Sequence, residues 1–154
     1  MYCAALKHTM NTLDFFRHDF VLSIKPEYAT RIVDGLKTVE LRRRFPYGTV
    51  TGARLYVYAT VPIQAVIGYA TIRKVERSPV EQIWAAYHQV AFIDRKDFED
   101  YYRDVESGYV LVLQDPVRLK HPIGLEMLKS RLNFTPPQSF AYADEAFRRL
   151  IDRQ

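Results

Sequence analysis

Residues 35–44 read Gly35-Leu36-Lys37-Thr38-Val39-Glu40-Leu41-Arg42-Arg43-Arg44 and predict a strand that starts at the end of a helix. Side chains of an extended segment alternate between two faces. The apolar side chains of Val39 and Leu41 therefore point to one face. The other face receives the polar side chains, which are Thr38, Glu40, Arg42 and Arg44. Because charged groups must be paired or line a cleft, we expect the functional site on this polar face.

The residues before this segment predict a strand followed by a short helix, and the segment begins where the helix ends. Residues 20–24 are apolar enough for a buried strand. Pro26 suits the first helical position, where its missing amide donor has no cost, and Gly35 suits a left-handed cap at the helix C-terminus. A helix over residues 26–34 would place Lys37 at the start of the next strand.

The rest of the chain alternates strands and short helices without a regular strand–helix–strand repeat. The predicted strands are residues 54–60, 65–76, 109–113 and 117–119, with Gly68 marking a bulge or barrel bend. The predicted helices are residues 79–87, 94–104, 124–131 and 142–151. This pattern predicts an α+β fold, namely a small β-barrel of about five or six strands decorated by short helices.

The composition favours a single domain with an anionic partner. The chain has 154 residues, of which 48% are hydrophobic and 26% are charged. Its net charge of +4 is concentrated in residues 1–60, which carry nine basic and five acidic side chains. Such a positive field suits nucleic acid. We expect a core at about residues 20–114, an N-terminal arm at residues 1–19 and a helical extension at residues 120–154.

Cysteine content and hydropathy favour the cytoplasm. The single Cys3 excludes an internal disulfide and is typical of a reducing compartment. Lys7 and His8 interrupt the first apolar run, so no signal peptide is visible. The most apolar region, residues 55–72, contains Pro62 and reads as two strands. We therefore expect a cytoplasmic protein without a membrane partner, and the oligomeric state stays open.

The spacing Gly35-x-Lys37-x-x-Glu40-x-Arg42 resembles the GxKxxExR signature of ASCH domains, which are relatives of the PUA-like barrels. Residues 22–29 are similar to the strand and helix that lead into that signature, and the resemblance covers about residues 20–114. It implies a β-barrel with a cleft lined by the signature residues and suited to RNA or a nucleoside. Family members have been linked to RNA binding, coactivator-type roles, single-stranded RNA cleavage and hydrolysis of acetylated cytidine. The fold does not choose among these roles.

The signature supplies most of the candidate site residues. Lys37 is a candidate catalytic amine, or else a lysine that compensates the helix dipole. Glu40 is a candidate general base, or else a partner that holds Lys37 and Arg42 in place. The candidates for catalysis are Lys37, Glu40, Tyr47 and Ser139. The candidates for binding RNA or another ligand are Lys25, Gly35, Thr38, Arg42, Arg44 and Tyr58.

Several of these candidates have a structural alternative. Tyr47 and Tyr58 can stack on a base or pack in the core or its rim. Ser139 can reach the cleft, as the family's Pro-Pro-Gln-Ser-Phe tail suggests, or cap the last helix. Asp97 or Glu99 would add a second carboxylate if the acidic helix folded over the barrel mouth.

The sequence predicts no metal and no cofactor. The four histidines lack the spacing of metal ligands, and there is no glycine-rich phosphate loop. The lead hypothesis is a domain that binds RNA or a modified nucleoside in a basic cleft. Three possibilities stay open: metal-independent cleavage of single-stranded RNA, amide hydrolysis of acetylcytidine, and a non-enzymatic nucleic-acid-binding regulator or coactivator-type adaptor.

Overall fold

The computed structural model describes residues 18–48 and 50–154, and this part of the chain contains six β-strands and five α-helices. The strands are β1 (Asp19–Ile24), β2 (Val39–Arg42), β3 (Arg54–Ala59), β4 (Ala65–Pro79), β5 (Ser107–Gly124) and β6 (Phe140–Ala143). The helices are α1 (Pro26–Val33), α2 (Val80–Ala91), α3 (Arg95–Tyr101), α4 (Leu125–Leu132) and α5 (Glu145–Asp152). Among the described residues, no helix is long and apolar enough to cross a membrane. The predicted N-terminal arm lies outside them, apart from His18 and Asp19.

The six strands form one mixed sheet in the order β2-β5-β4-β3-β1-β6. β1 runs parallel to β3, and every other neighbouring pair is antiparallel. This confirms the predicted α+β fold and its number of strands.

The long strands β4 and β5 bend at bulges, one of which spans Val66 and Gly68. A Cβ atom at position 68 would lie 2.2 Å from the carbonyl oxygen of Val117 and 2.6 Å from Cγ1 of Val33. Only glycine therefore lets β4 approach both β5 and α1 at this point. The bulge predicted at Gly68 is confirmed.

The sheet is not closed into a barrel by hydrogen bonds, because β2 and β6 are its two edges. The edges nevertheless approach each other at one end. Nη2 of Arg42 donates a hydrogen bond of 2.6 Å to the carbonyl oxygen of Ser139, and the rings of Phe45 and Phe140 lie 5.5 Å apart. We call the gap between β2 on one side and β1 with β6 on the other the seam.

Three apolar clusters hold the sheet and helices together. The largest packs α1 on the sheet through residues such as Ile32, Phe20 and Leu55. A second cluster packs α4 and α5 against β3. The third packs α2 and α3 against β2 and buries Val39 and Leu41, which are 2% and 7% exposed. The predicted burial of this pair is confirmed.

The C-terminal region differs most from the sequence prediction. A helix was expected from residue 142, but Phe140–Ala143 forms β6 and α5 begins at Glu145. The reason is the side chain of Asp144, which accepts a hydrogen bond of 2.8 Å from the backbone N–H of Phe147 and so fixes the first turn of the helix. The short strand predicted at residues 117–119 is part of β5.

Candidate functional site

Lys37 reaches the site through a glycine-dependent turn at the end of α1. Gly35 has a φ of +79°, in the left-handed region. The backbone N–H groups of Leu36 and Lys37 both donate to the carbonyl oxygen of Arg31, at 2.9 and 3.0 Å. The predicted cap at Gly35 is confirmed, and β2 begins two residues after Lys37.

The Lys37 side chain is buried and fixed by three neighbours. It is 4% exposed, and its Nζ donates to the carbonyl oxygen of Val39 at 2.6 Å. Nζ also lies 3.3 Å from Oε2 of Glu40 and 5.5 Å from the centre of the Tyr28 ring. An ammonium group has three N–H donors. Val39 and Glu40 account for two of them, and the third has only the face of the Tyr28 ring as a neighbour among the described residues.

Glu40 lies between two cations. Its Oε1 is 3.6 Å from Nη1 of Arg42, and the two side chains are 9% and 11% exposed. A buried carboxylate is stable only when opposite charges or donors surround it. Lys37, Glu40 and Arg42 therefore form a fixed row of charges with a net charge of +1, which we call the signature row.

The signature row lines a cleft of about 540 Å³ in the seam, a volume typical of small-molecule sites. β2 forms one wall with Glu40 and Arg42, and the start of α1 lies opposite. The polar and aromatic side chains that complete the lining are Ser23, Lys25, Tyr28, Asp97, Asp100 and Tyr101.

Tyr101 from α3 explains why the seam stays open at β2. Its hydroxyl donates to the carbonyl oxygen of Leu41 at 3.1 Å and accepts from the backbone N–H of Arg43 at 3.2 Å. These backbone groups lie on the free edge of β2, where another strand would otherwise pair. Burial raises the pKa of Tyr101, so its hydroxyl stays protonated and able to donate.

The charges around the cleft are mixed, and a basic cleft is not confirmed. The lining contains three basic side chains, Lys25, Lys37 and Arg42, and three acidic ones, Glu40, Asp97 and Asp100. Asp100 is paired with Arg103 at 2.7 Å. Asp97 has no ionic partner among the described residues, so α3 brings a free carboxylate to the cleft.

The structure brings some of the remaining predicted residues to the cleft and leaves others outside. Lys25 lines the cleft, and Ser139 lies at its Arg42 end, with Oγ 3.5 Å from Nη2. Glu99, the alternative second carboxylate, is instead bonded to Arg95 at 2.7 Å.

Besides Ser139, five of the predicted residues do not line the cleft. Gly35 and Thr38 line a separate cavity of only about 30 Å³. Arg44 and Tyr47 are exposed beyond the end of β2. Tyr58 is 2% exposed and packs in the cluster under α4 and α5, where its ring is 5.7 Å from that of Phe134.

Sequence reasoning missed four polar or aromatic residues of the cleft, namely Ser23, Tyr28, Asp100 and Tyr101. Ser23 is a polar residue within an apolar strand, and its buried Oγ has no hydrogen-bond partner among the described residues. Tyr28 lies on α1 and Asp100 and Tyr101 lie on α3, and the sequence does not distinguish these side chains from ordinary residues of short helices. Only Ser23 carries a signal that could have been read from the sequence. Within residues 18–48 and 50–154, no group of three or more His, Cys, Asp or Glu side chains could hold a metal ion.

Comparisons with known proteins connect this geometry to a family. The family model of the ASCH domain matches residues 22–118. The ASCH domain-containing ribonuclease of Zymomonas mobilis is 40% identical over 129 residues, which are 82% of this chain and 84% of that protein. The crystal structure of ASCH from Z. mobilis superimposes with a TM-score of 0.81 at 36% identity, covering 87% of this chain and 94% of that one. A tyrosine-to-phenylalanine mutant of the Z. mobilis protein gives a TM-score of 0.83 at 35% identity, covering 89% and 98%.

Proposed function

The chain belongs to the ASCH domain family, and we propose that it is a ribonuclease that cleaves single-stranded RNA in the seam cleft. Family membership and the ribonuclease relative support an RNA-related function. The observation that carries the proposal is the signature row. It holds two cations and one carboxylate at ion-pair distances of 3.3 and 3.6 Å on the wall of a ligand-sized cleft.

Lys37 and Arg42 supply the positive charge that a phosphodiester needs. The third N–H of Lys37 is free for a phosphoryl oxygen, and the planar guanidinium of Arg42 offers donors beyond the two that contact Glu40 and Ser139. Glu40 keeps both cations in place before the RNA arrives. Such preorganised charge stabilises a transition state without reorganisation of the site.

The proposed reaction is an internal transesterification of the RNA. The ribose 2′-oxygen forms a bond to the neighbouring phosphorus, and Glu40 takes the proton of that hydroxyl. The bond from phosphorus to the 5′-oxygen breaks, and the proton passes from Glu40 through solvent to the 5′-oxygen. The products are a 2′,3′-cyclic phosphate and a 5′-hydroxyl, and no further reactant is consumed.

Labelled single-stranded RNA, incubated with and without a metal chelator, tests this proposal. We expect cleavage to persist in chelator, because side chains provide the positive charge. Lys37→Met should lower kcat about 100-fold or more, as removal of one preorganised donor does in other enzymes. Lys129→Met is the matched control, because Lys129 is exposed on α4, and it should cleave normally. Wild-type activity in Lys37→Met would contradict the cleft assignment, and loss of activity in chelator would contradict metal independence.

A second candidate function is hydrolysis of the amide in acetylated cytidine, because Asp97 adds a free carboxylate on the α3 side of the cleft. Water would add to the carbonyl carbon, the carbon–nitrogen bond would break, and a proton from water would move to the nitrogen. The products are acetic acid and cytidine. The mixed charges of the lining suit a nucleoside as well as a phosphodiester.

The same protein preparation separates these functions when N4-acetylcytidine is added and cytidine is measured by chromatography. Asp97→Asn should remove amide hydrolysis and spare RNA cleavage. If neither substrate is converted while RNA still binds, the protein is instead a non-enzymatic RNA-binding regulator or adaptor.

A further inference from the structure

We propose that an exposed surface next to the cleft, formed by Tyr47, Arg77 and Tyr109, binds the single-stranded RNA that extends beyond the cleaved bond. We call it the Tyr47 surface. The inference rests on the proposed ribonuclease function and adds where the flanking nucleotides lie. It is separate from the signature row, since none of the three residues lines the cleft.

Strand register places Arg77 in line with the signature row. Tyr109 of β5 is paired with Arg42 of β2 on one side and with Arg77 of β4 on the other. Residues paired across a ladder share one face of the sheet, and neighbouring strands lie about 4.8 Å apart. Arg42, Tyr109 and Arg77 therefore form a continuous row that leads from the cleft wall to an exposed arginine.

Tyr109 of this row and the neighbouring Tyr47 together provide a platform on which a base can stack. Tyr47 is 68% exposed, and its ring centre lies 6.4 Å from that of Tyr109 at an angle of 62°. Tyr109 is half-buried and packs against the main core, so it holds its position. An exposed ring supported by a fixed one suits a base of single-stranded RNA, because every base has a face that can stack.

The charge of the surface is uncompensated. Arg77 has no ion pair and no hydrogen bond to any described residue, and the same holds for Arg44, which lies in the chain between β2 and Tyr47. The neighbouring carboxylate of Glu76 points to the opposite face and is engaged by Lys74 and Tyr87. Free guanidinium groups beside an aromatic platform complement the phosphates and bases of a single strand.

The experiment compares RNA substrates of two lengths. The wild-type protein should cleave a single-stranded RNA of about 12 nucleotides with a higher kcat/KM than a dinucleotide. Arg77→Ala and Tyr47→Leu should cleave the dinucleotide with the same kcat/KM as the wild-type protein. Both variants should lose most of the increase in kcat/KM that the longer RNA gives. Tyr47→Phe keeps the ring and should behave as wild type. Arg131→Ala is the control for Arg77→Ala, because Arg131 is an exposed arginine on α4 that does not line the cleft.

Binding measured by fluorescence anisotropy adds a second readout. Tyr47→Leu should weaken binding of the longer RNA roughly 5-fold or more, the loss typical of one stacked base. Arg77→Ala should reduce the salt-dependence slope of binding by about 0.7, the value for one phosphate contact with a single strand. Normal length dependence and normal binding in both variants would overturn the proposal.

The anisotropy readout also separates this inference from the proposed function. If the wild-type protein cleaves neither substrate, the ribonuclease proposal fails. The Tyr47 surface is still supported in that case if Arg77→Ala and Tyr47→Leu weaken RNA binding, and it is overturned if they do not.

Discussion

Removal of the Glu40 carboxylate should destabilise the protein far more than removal of a surface carboxylate. Glu40→Ala would leave Lys37 and Arg42 without their shared counter-ion, although the two side chains are only 4% and 11% exposed. Breaking a buried ion pair by removing one partner costs about 3–5 kcal/mol. For a domain of this size, 1 kcal/mol corresponds to about 2–4 °C in Tm, so Tm should fall by about 6–20 °C.

Chemical denaturation monitored by circular dichroism measures this loss of stability. The midpoint denaturant concentration should fall, and the dependence of the unfolding free energy on denaturant concentration should keep the same slope. Glu145→Ala is the matched control. Glu145 forms an i,i+4 pair with Arg149 in which both side chains are 67% exposed. Such a pair stabilises the folded state by no more than about 0.5 kcal/mol. The double variant Lys37→Met/Glu40→Leu should regain part of the lost stability, because apolar residues can replace a buried pair. If Glu40→Ala costs no more than Glu145→Ala, the charges of the signature row are solvated and the reasoning is refuted.

Two further predictions concern the residues that shape the seam and the sheet. Tyr101→Phe removes the hydroxyl that satisfies the carbonyl oxygen of Leu41 and should cost about 1–3 kcal/mol in urea denaturation. Because burial raises the pKa of Tyr101 in the folded state, the wild-type protein should lose stability as pH rises above about 10, and Tyr101→Phe should lose less. Gly68→Ala should cost about 3 kcal/mol or more, because the new Cβ would lie 2.2 Å from the carbonyl oxygen of Val117. Gly124→Ala, where a Cβ meets nothing within 4 Å, should leave Tm nearly unchanged, and equal losses for the two glycine variants would contradict the packing argument.

The features that the sequence predicted correctly depend on local backbone geometry. Alternation in β2 separates Val39 and Leu41 from Glu40 and Arg42 regardless of the rest of the fold. The positive φ of Gly35 and the close approach at Gly68 likewise follow from what only glycine can adopt. The alternation in β2 and the turn at Gly35 are each fixed within a few residues of chain, whereas the neighbours that require a glycine at position 68, Val33 and Val117, are distant in the chain.

The features that the sequence did not predict depend on contacts between distant segments. Tyr101 reaches the free edge of β2 only because α3 packs beneath it, 60 residues away in the chain. Tyr58 alternates with its neighbours in β3 as a cleft residue would, yet α4 and α5 cover that face of the strand. β6 was missed because a four-residue edge strand of Phe-Ala-Tyr-Ala has no period that distinguishes it from the helix that follows.

The open seam links the fold to the proposed activity. A closed barrel would pair the free edge of β2 with another strand and fill the space that the cleft occupies. Here Lys37 binds the carbonyl oxygen of Val39 and Tyr101 binds that of Leu41, so the two edge carbonyls are satisfied by side chains. An edge with satisfied backbone groups has no need of a neighbouring strand. The lysine of the signature satisfies one of the edge groups of the open seam, and under the proposed function its remaining donor binds the RNA.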